Sequence, residues 1–226
     1  MFQNNDRISI QVGLSGYSFR LRADEEMVPS AWMTAERIFT TPELQKRYAS
    51  VDISLFTPKV TLVPEQFYEP EQKRQMLSEV VRINEDDVVE AVEVPEFGAI
   101  LVYSNSIGET LSKVISETVL MTDGSKARVL PEHYHMLKGL SSMSEYNKIV
   151  ASYVDGYLYL VIAQGMSLLL CNAYKAPDFT TAEYFIFLAM KKLQLNPEMS
   201  SIVFRTPLEP DQEMSLYRYF RSVELV

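Results

Sequence analysis

A repeat at fixed spacing is the feature of this sequence that most restricts its fold. Phe39-Thr40-Thr41-Pro42-Glu43 returns 140 residues later as Phe179-Thr180-Thr181-Ala182-Glu183. Three further stretches match at the same offset without a gap: Ser15-Gly16-Tyr17 with Asp155-Gly156-Tyr157, Thr61-Leu62-Val63 with Ser201-Ile202-Val203, and Glu69-Pro70-Glu71-Gln72 with Glu209-Pro210-Asp211-Gln212. Internal repeats of this kind indicate duplicated structural units. We therefore predict two halves, residues 1–145 and 146–226.

The first half opens with the alternation of apolar and polar residues that is typical of a β-hairpin. Ile8, Ile10 and Val12 alternate with polar residues before Ser15-Gly16, and the alternation resumes after that turn. We predict a third strand at residues 31–39. Thr41-Pro42 then has the residue types of a helix N-cap and first helical position, and a strand and a further helix follow.

The second half repeats this order with stronger signals. Residues 149–154, 157–163 and 167–173 are predicted strands, and Asp155-Gly156 is a favoured two-residue hairpin turn. Thr180 and Glu183 have the spacing of a capping box at the start of a helix. Three strands followed by helix, strand and helix predict a mixed sheet flanked by helices, which is an α/β fold.

Charge and composition exclude several classes of function. The net charge is −9 and no basic patch is present in the sequence, so we expect no nucleic-acid partner. The apolar run at residues 157–163 is far shorter than the roughly 20 residues of a membrane span, so we expect no direct membrane insertion. The single cysteine, Cys171, fits a reducing compartment. We therefore predict a cytoplasmic protein.

No catalytic or metal-binding constellation emerges from the residue pattern. His133 and His135 are the only histidines, and residues two apart do not share a helix face. A zinc site would need further ligands, and Cys171 lies in an apolar run, which favours a buried structural role. The sequence therefore predicts packing histidines, no metal site and no catalytic residue.

Several short motifs resemble an uncharacterised bacterial family with an actin-like ATPase fold. They are Leu62-Val63-Pro64-Glu65 after a strand, the Asp155-Gly156 hairpin, and Asn172-Ala173-Tyr174 leading into Thr181-Ala182-Glu183-Tyr184-Phe185. The pattern is also similar to the cytoplasmic actin-like components of type II secretion and type IV pilus assembly. This resemblance implies two tandem ribonuclease-H-like halves, each a mixed sheet that opens with a three-strand meander. It implies a fold and not a function.

The resemblance also implies where a nucleotide would bind. Actin-like ATPases have an Asp-x-Gly motif at the first hairpin, where the carboxylate organises Mg²⁺. That motif falls here on Gln11 and Gly13, followed by Ser15 and Gly16, and the second hairpin carries Asp155 and Gly156. An amide at residue 11 lacks the charge that organises the metal, so ATP and Mg²⁺ are disfavoured as cofactors and we expect no ATP hydrolysis. Binding without hydrolysis stays open.

Interaction with another protein is the leading functional hypothesis. Phe67 and Tyr68 follow Pro64 in a predicted loop, and Tyr217 and Tyr219 lie on the last predicted helix. Because Tyr217 and Tyr219 are two residues apart, at least one should face away from the core. These four residues are candidates for binding a protein partner or a second copy. The alternatives are a nucleotide-binding protein or ATPase with a divergent metal site, and an inert retained domain.

Overall fold

The computed structural model describes residues 7–23, 26–106 and 109–226. The chain forms two compact units that interleave along the sequence. Unit 1 comprises residues 1–57 and 105–132, and unit 2 comprises residues 58–104 and 133–226. The described strands, in chain order, are β1 (Arg7–Val12), β2 (Tyr17–Ala23), β3 (Glu26–Pro29), β4 (Arg47–Tyr48), β5 (Ser50–Leu55), β6 (Val60–Pro64), β7 (Val89–Val94), β8 (Ala99–Ser104), β9 (Leu120–Met121), β10 (Val129–Pro131), β11 (Asn147–Val154), β12 (Tyr157–Gln164), β13 (Ser167–Lys175), β14 (Ser201–Phe204) and β15 (Ser222–Leu225).

Five α-helices accompany these strands in the described part of the chain. They are α1 (Lys73–Ser78), α2 (Glu109–Thr118), α3 (Glu132–Ser142), α4 (Phe179–Lys192) and α5 (Pro210–Tyr217). Short 3-10 turns lie at Ala35–Arg37, Pro42–Gln45, Glu65–Phe67, Pro70–Gln72, Pro95–Phe97 and Pro197–Met199.

Unit 1 contains a five-stranded sheet in the order β10-β5-β1-β2-β3. The first three strands form an antiparallel meander, whereas β5 and β10 extend the sheet in parallel with β1. The alternation in β1 buries Ile8, Ile10 and Val12 completely, as period-two patterning requires. They join a core that includes Leu44 and, from α2, Ile115. A separate two-stranded pair, β4 with β9, completes the pairing in this unit.

The predicted third strand at residues 31–39 is wrong. The third strand of the meander is β3 at Glu26–Pro29, which pairs with β2, and only Met33 continues the pairing as a single bridge to Tyr17. Ser30 interrupts the strand because its hydroxyl accepts the main-chain N–H of Phe19. Thr41 does precede a turn that starts at Pro42, but its hydroxyl donates to the Arg37 carbonyl instead of capping that turn.

Unit 2 contains a second five-stranded sheet, in the order β13-β12-β11-β14-β15. Written from its other edge, this order is the same as in unit 1, with an antiparallel meander followed by two parallel strands. Helices α4 and α5 contribute to the core of this sheet through Ile186, Met190 and Leu216, and Phe220 joins this core just after α5. The two sheets thus share one strand order and one pattern of strand directions.

Both helices of this second sheet begin at a side-chain cap, although not always the predicted one. The Asp178 carboxylate accepts the main-chain N–H of Thr181 at 2.7 Å, so α4 starts at Phe179 and the predicted capping box of Thr180 with Glu183 is wrong. Aspartate satisfies an amide of the first turn and is a preferred N-cap residue. At α5, Glu209 and Gln212 form a reciprocal capping box.

Residues 58–104 form a three-stranded antiparallel sheet, β6-β8-β7, which belongs to unit 2. Its small core gathers Leu77 from α1 with Val89, Ile100 and Val102. The gap-free register at an offset of 140 residues is therefore wrong. Thr61-Leu62-Val63 lies in this small sheet, whereas Ser201-Ile202-Val203 lies in the five-stranded one.

The strand that corresponds to β14 in unit 1 is β5. Val12 pairs with Leu55, and Phe56 N donates to Val12 O. In the same way Ala151 pairs with Phe204, and Arg205 N donates to Ala151 O. Phe56-Thr57-Pro58 accordingly matches Arg205-Thr206-Pro207 at an offset of 149 residues. After Thr57-Pro58 the chain enters the three-stranded sheet, whereas after Thr206-Pro207 it proceeds to α5.

Candidate functional site

The loop between β1 and β2, residues 13–16, is held by the protein's own main chain. Gly13 N donates to Gly16 O at 2.9 Å. Tyr17 and Met33 exchange both main-chain hydrogen bonds, at 2.8 and 2.7 Å. The main-chain N–H groups of Gly13 and Tyr17, at the base of this loop, thus have acceptors within the chain. In the actin-like ATPases that the sequence resembles, the corresponding loop approaches phosphate.

The side chain of Trp32 lies against the same loop. Its indole Nε1 donates to Ser15 Oγ at 2.9 Å, and its ring centroid is 6.3 Å from that of Phe56. Gly16 leaves room for this arrangement, because a Cβ there would lie 2.0 Å from the Met33 carbonyl oxygen. Glycine at residue 16 is therefore required for the loop to pack against Trp32 and Met33.

Gln11 points into a buried polar cluster and not toward an open cleft. Its side chain is 5% exposed, and its Nε2 donates to Glu132 Oε1 at 3.4 Å. Ser18 Oγ donates to Gln11 Oε1 at 3.5 Å, and Ser54 Oγ makes a short hydrogen bond to Glu132 Oε2. Glu132 is completely buried at the start of α3. We call these four residues the unit 1 polar cluster.

The unit 1 polar cluster lies near the carboxyl ends of parallel strands β1, β5 and β10. Gln11 and Ser54 are the fifth residues of β1 and β5 and face each other across the ladder. Glu132 immediately follows β10. The carboxyl end of a parallel sheet is where α/β proteins commonly bind ligands. The carboxylate at this edge is therefore supplied by Glu132 and not by residue 11.

The second hairpin is a tight turn. Asp155 and Gly156 have φ of 52° and 73°, as a type I′ hairpin turn requires. Gly156 O accepts the N–H of Ala176 at 2.8 Å. Below the turn, Thr206 Oγ1 accepts the main-chain N–H of Tyr153 at 2.9 Å. Asp155 therefore has the geometry of a turn residue, and the residues equivalent to Gln11 and Ser54 are apolar, namely Val150 and Val203.

The side chains present do not fit a Mg²⁺–nucleotide at the first hairpin. Magnesium requires oxygen ligands, usually carboxylates, and Gln11 presents an amide that is bonded to Glu132. Across residues 7–23, 26–106 and 109–226, no group of three His, Cys, Asp or Glu side chains is arranged to hold a metal ion.

The histidines and the cysteine lie in packed surroundings. The ring of His133 is completely buried, 5.5 Å from the ring of Tyr159. The ring of His135 packs edge-on against Tyr134. Burial raises the pKa of the Cys171 thiol to about 12, so this group is a neutral thiol near pH 7.

The four candidate interaction residues occupy different environments. Tyr217 is the last residue of α5 and Tyr219 lies just beyond that helix, and each is 51% exposed. The Tyr217 hydroxyl donates to Val223 O at 3.0 Å, whereas the Tyr219 ring packs 4.8 Å from that of Phe187. Phe67 is 65% exposed, and Tyr68 packs partly buried against the small core of the three-stranded sheet.

Sequence reasoning missed Trp32, Ser54 and Glu132. Trp32 is the single tryptophan of the chain and stands beside a strand break, which was the available signal. Glu132 follows the apolar run Val129-Leu130-Pro131, where a carboxylate is unexpected. Ser54 gave no signal, because only the parallel pairing of β1 with β5 brings it beside Gln11.

Comparison with solved structures defines the class of this protein as one with an actin-like ATPase fold. A Bacteroides thetaiotaomicron protein with that fold and unknown function is 14% identical, with a TM-score of 0.67 over 99% of this chain and 91% of that one. The PilM–PilN type IV pilus biogenesis complex gives 14% identity and a TM-score of 0.57, covering 99% and 89%. The cytoplasmic domain of EpsL, an inner membrane component of the Vibrio cholerae type II secretion system, gives 13% and 0.50, covering 98% and 85%. At these identities the likeness establishes the fold alone.

The chain belongs to the DUF3822 family, described as a protein of unknown function, whose model matches residues 4–223. No curated protein matches the sequence. The resemblance to an uncharacterised family with an actin-like fold is thereby confirmed. Among the helices of the described residues, none is both long enough and apolar enough to cross a membrane.

Proposed function

We propose that this protein is a non-hydrolysing, cytoplasmic protein of actin-like fold that acts by binding another protein. The observation that carries this proposal is the state of the first hairpin. Trp32 and Met33 hold the 13–16 loop, and the Gln11 amide is bonded to Glu132. The loop and the residue that would serve a Mg²⁺–nucleotide are thus engaged within the chain itself.

The single tryptophan provides a direct test. Because the Trp32 indole donates to Ser15 in this loop, nucleotide entering the loop must disturb it and change its fluorescence. We expect no saturable change in emission with millimolar MgATP or MgADP, and no phosphate release above the buffer rate. A saturable change together with Mg²⁺-dependent turnover would contradict the proposal. Trp32→Phe, which removes the indole N–H, is the matched control for the fluorescence signal.

A second candidate is a nucleotide-binding protein or ATPase with a divergent metal site. The buried carboxylate of Glu132 beside Gln11 favours it, because a carboxylate is present at this sheet edge although not at residue 11. Its signature would be turnover that Glu132→Gln abolishes while Asp155→Ala leaves it intact. Turnover abolished by Asp155→Ala would instead assign the metal to the second hairpin.

Two similar structures belong to assemblies, which supports a binding role. One is a pilus biogenesis complex and the other a component of a secretion system. By analogy we propose a protein partner or a second copy for this chain, with Tyr217 and Tyr219 at one contact surface. Sedimentation of the wild type beside a Tyr217→Ser, Tyr219→Ser double variant tests this surface. A wild type that stays monomeric at high concentration and captures no partner would leave the surface without a function.

We also propose that the halves 1–145 and 146–226 descend from one duplicated ribonuclease-H-like unit. The shared strand order of the two five-stranded sheets and the two Thr-Pro stretches support this. Residues 58–104 are then an insertion into the first copy, placed after its Thr57-Pro58.

A further inference from the structure

The segment 58–104 carries most of the net negative charge of the chain. It contains ten Asp or Glu residues against four Lys or Arg, so it contributes −6 of the net −9 within about a fifth of the length. Seven of the acidic residues are exposed: Glu65, Glu69, Glu71, Glu79, Glu85, Asp86 and Glu93. A field of one sign over a limited surface attracts partners of the opposite sign.

The basic residues of this segment do little to offset that field. Lys59 forms an ion pair at 2.5 Å with Asp87, which is buried. The Arg74 guanidinium donates to the main-chain oxygens of Asp87 and Asn84, each at 2.6 Å. Two of the four basic side chains thus fasten the loop at residues 84–87, and the exposed carboxylates outnumber the remaining cations.

A pocket of about 490 Å³, lined by both apolar and polar residues, opens within the same unit. Its walls come from β6, the turn at Pro95–Phe97 and the start of β13. The apolar side chains that line it include Leu62, Pro64, Phe97, Met166 and Leu168, and Glu96 lines it beside them. The volume lies in the range of about 300–1,000 Å³ typical of ligand pockets.

Two features prepare this pocket for a partner with both apolar and cationic groups. Met166 is 71% exposed at its mouth, and methionine adapts its shape to varied apolar partners. Glu96 is ion-paired with Lys138 at 2.5 Å, so the negative charge available to a cationic partner comes from exposed residues such as Glu65 and Glu93. Phe67, which is also exposed, follows Pro64 by three residues.

We propose that this surface docks a basic segment of a partner protein, with an apolar side chain of that segment in the pocket and its Lys or Arg side chains facing the acidic residues. We call the surface the acidic docking face and define it by the pocket together with Glu65, Glu93 and Glu96. The inference rests on the proposed function, because it names the chemistry of the protein that is bound. Nucleic acids and anionic membranes are repelled by the same charge.

The experiment uses the full chain and a defined probe. The probe is a fluorescein-labelled dodecapeptide with a central Leu-Leu pair, two arginines on each side, and glycine and serine elsewhere. One control peptide replaces the leucines by serine, and a second replaces the arginines by glutamate. Fluorescence anisotropy should show binding of the Arg–Leu peptide, weaker binding of the serine peptide and none of the glutamate peptide. Raising the salt concentration should weaken binding, since exposed charges are screened.

Variants of the protein then locate the site. Glu65→Lys with Glu93→Lys should weaken the Arg–Leu peptide about tenfold, because rim charges govern association and its salt dependence. Met166→Asp at the pocket mouth should remove the preference for leucine over serine. The matched control, Glu198→Lys with Glu224→Lys, reverses two exposed charges of unit 2 outside the segment and should leave binding within about twofold. Thermal unfolding verifies that each variant is folded.

Three results would overturn the acidic docking face: no binding of the Arg–Leu peptide, equal binding of the serine peptide, or equal loss in the control variant. Failure of the proposed function is a separate outcome, reported by Mg²⁺-dependent turnover. If a purified native partner binds the wild type and the Glu65→Lys, Glu93→Lys variant equally, the proposed function stands and this docking site is rejected.

Discussion

The two five-stranded sheets share one strand order but differ in chemistry near the carboxyl ends of their parallel strands. In unit 1 that edge carries Gln11, Ser54 and Glu132, and its hairpin is a four-residue loop packed against Trp32. At the positions of Gln11 and Ser54, unit 2 has Val150 and Val203, and its hairpin is the two-residue turn Asp155-Gly156.

This difference separates what the fold requires from what a site requires. The alternation of buried apolar residues is kept in both sheets, because either sheet must bury one face. The polar residues near the carboxyl ends are not kept, so they are not needed to form the sheet. Function must therefore be argued from each edge separately, and the comparison can be tested by exchanging features between the two units.

The largest expected difference is between the two hairpin glycines. Gly16→Ala places a Cβ 2.0 Å from the Met33 carbonyl oxygen, which is main chain and cannot move aside locally. We expect a loss of about 3 kcal/mol or more in the free energy of unfolding. Gly156→Ala meets nothing nearer than 3.7 Å, so only its positive φ is strained, at about 1–2 kcal/mol. Urea unfolding of both variants measures the difference, and equal losses would contradict it.

The unit 1 polar cluster can be broken in one step or replaced as a whole. Glu132→Ala leaves Gln11 and Ser54 without their buried acceptor and should cost about 2–3 kcal/mol. A triple variant, Gln11→Val, Ser54→Val and Glu132→Leu, gives this edge the apolar character of unit 2. It should be less destabilised than Glu132→Ala, because it leaves only the Ser18 hydroxyl of the cluster without its partner. The midpoints of urea unfolding measure the stability of both variants. A triple variant that is less stable than Glu132→Ala would refute the prediction.

The Thr-Pro stretch of unit 2 has its own test. Thr206→Val removes the oxygen that accepts the Tyr153 N–H at 2.9 Å, in a place where residue 206 is buried. We expect a loss of about 1–2 kcal/mol from the unsatisfied amide. Thr206→Ser keeps the oxygen and should recover most of this loss in thermal unfolding. A serine variant as unstable as the valine variant would assign the effect to lost packing.

The smallest effect concerns residue 59, just after the Thr-Pro stretch beyond which the paths of the chain in the two regions differ. Burial works to raise the pKa of Asp87, but hydrogen bonds from Lys59 and the Asn84 main chain outweigh it, so the pKa is lowered. The ionised carboxylate therefore stabilises the fold above the ordinary pKa near 3.8, and this contribution is lost as the pH falls through the lowered value.

Lys59→Met should accordingly destabilise the protein more at pH 7 than at pH 3. The measurement is the urea midpoint at both pH values, with the exposed Lys113→Met as control. A loss that is independent of pH would mean that Lys59 acts through packing of its stem.

Much of this architecture was readable from local patterns. Period-two alternation located β1 and β2, and the meander of unit 2 followed from three apolar runs separated by Asp155-Gly156 and Gln164-Gly165. The motifs that resemble an uncharacterised actin-like family led to the family now established for residues 4–223. Such signals can be read without coordinates because they arise from residues close in sequence, whose geometry is fixed by backbone sterics and side-chain alternation.

Boundaries that depend on competition between neighbours were predicted less well. The third strand was placed at residues 31–39, but Ser30 breaks the pairing and β3 precedes it. The helix at residue 179 was assigned a capping box, but Asp178 lies one residue earlier and captures the Thr181 amide first. Local propensity offers several partners for each amide, and only the folded chain selects one.

The sequence by itself determined that a β-meander occurs twice along the chain, and that an amide stands where the resemblance implies a metal-organising acid. Tertiary structure decided which strands are equivalent, because β5 corresponds to β14 through its parallel pairing with β1, at an offset of 149 residues and not 140. It also placed Glu132, 121 residues from Gln11 in sequence, within 3.4 Å of it. Contacts at that separation arise when a sheet brings distant strands together, and no local periodicity encodes them.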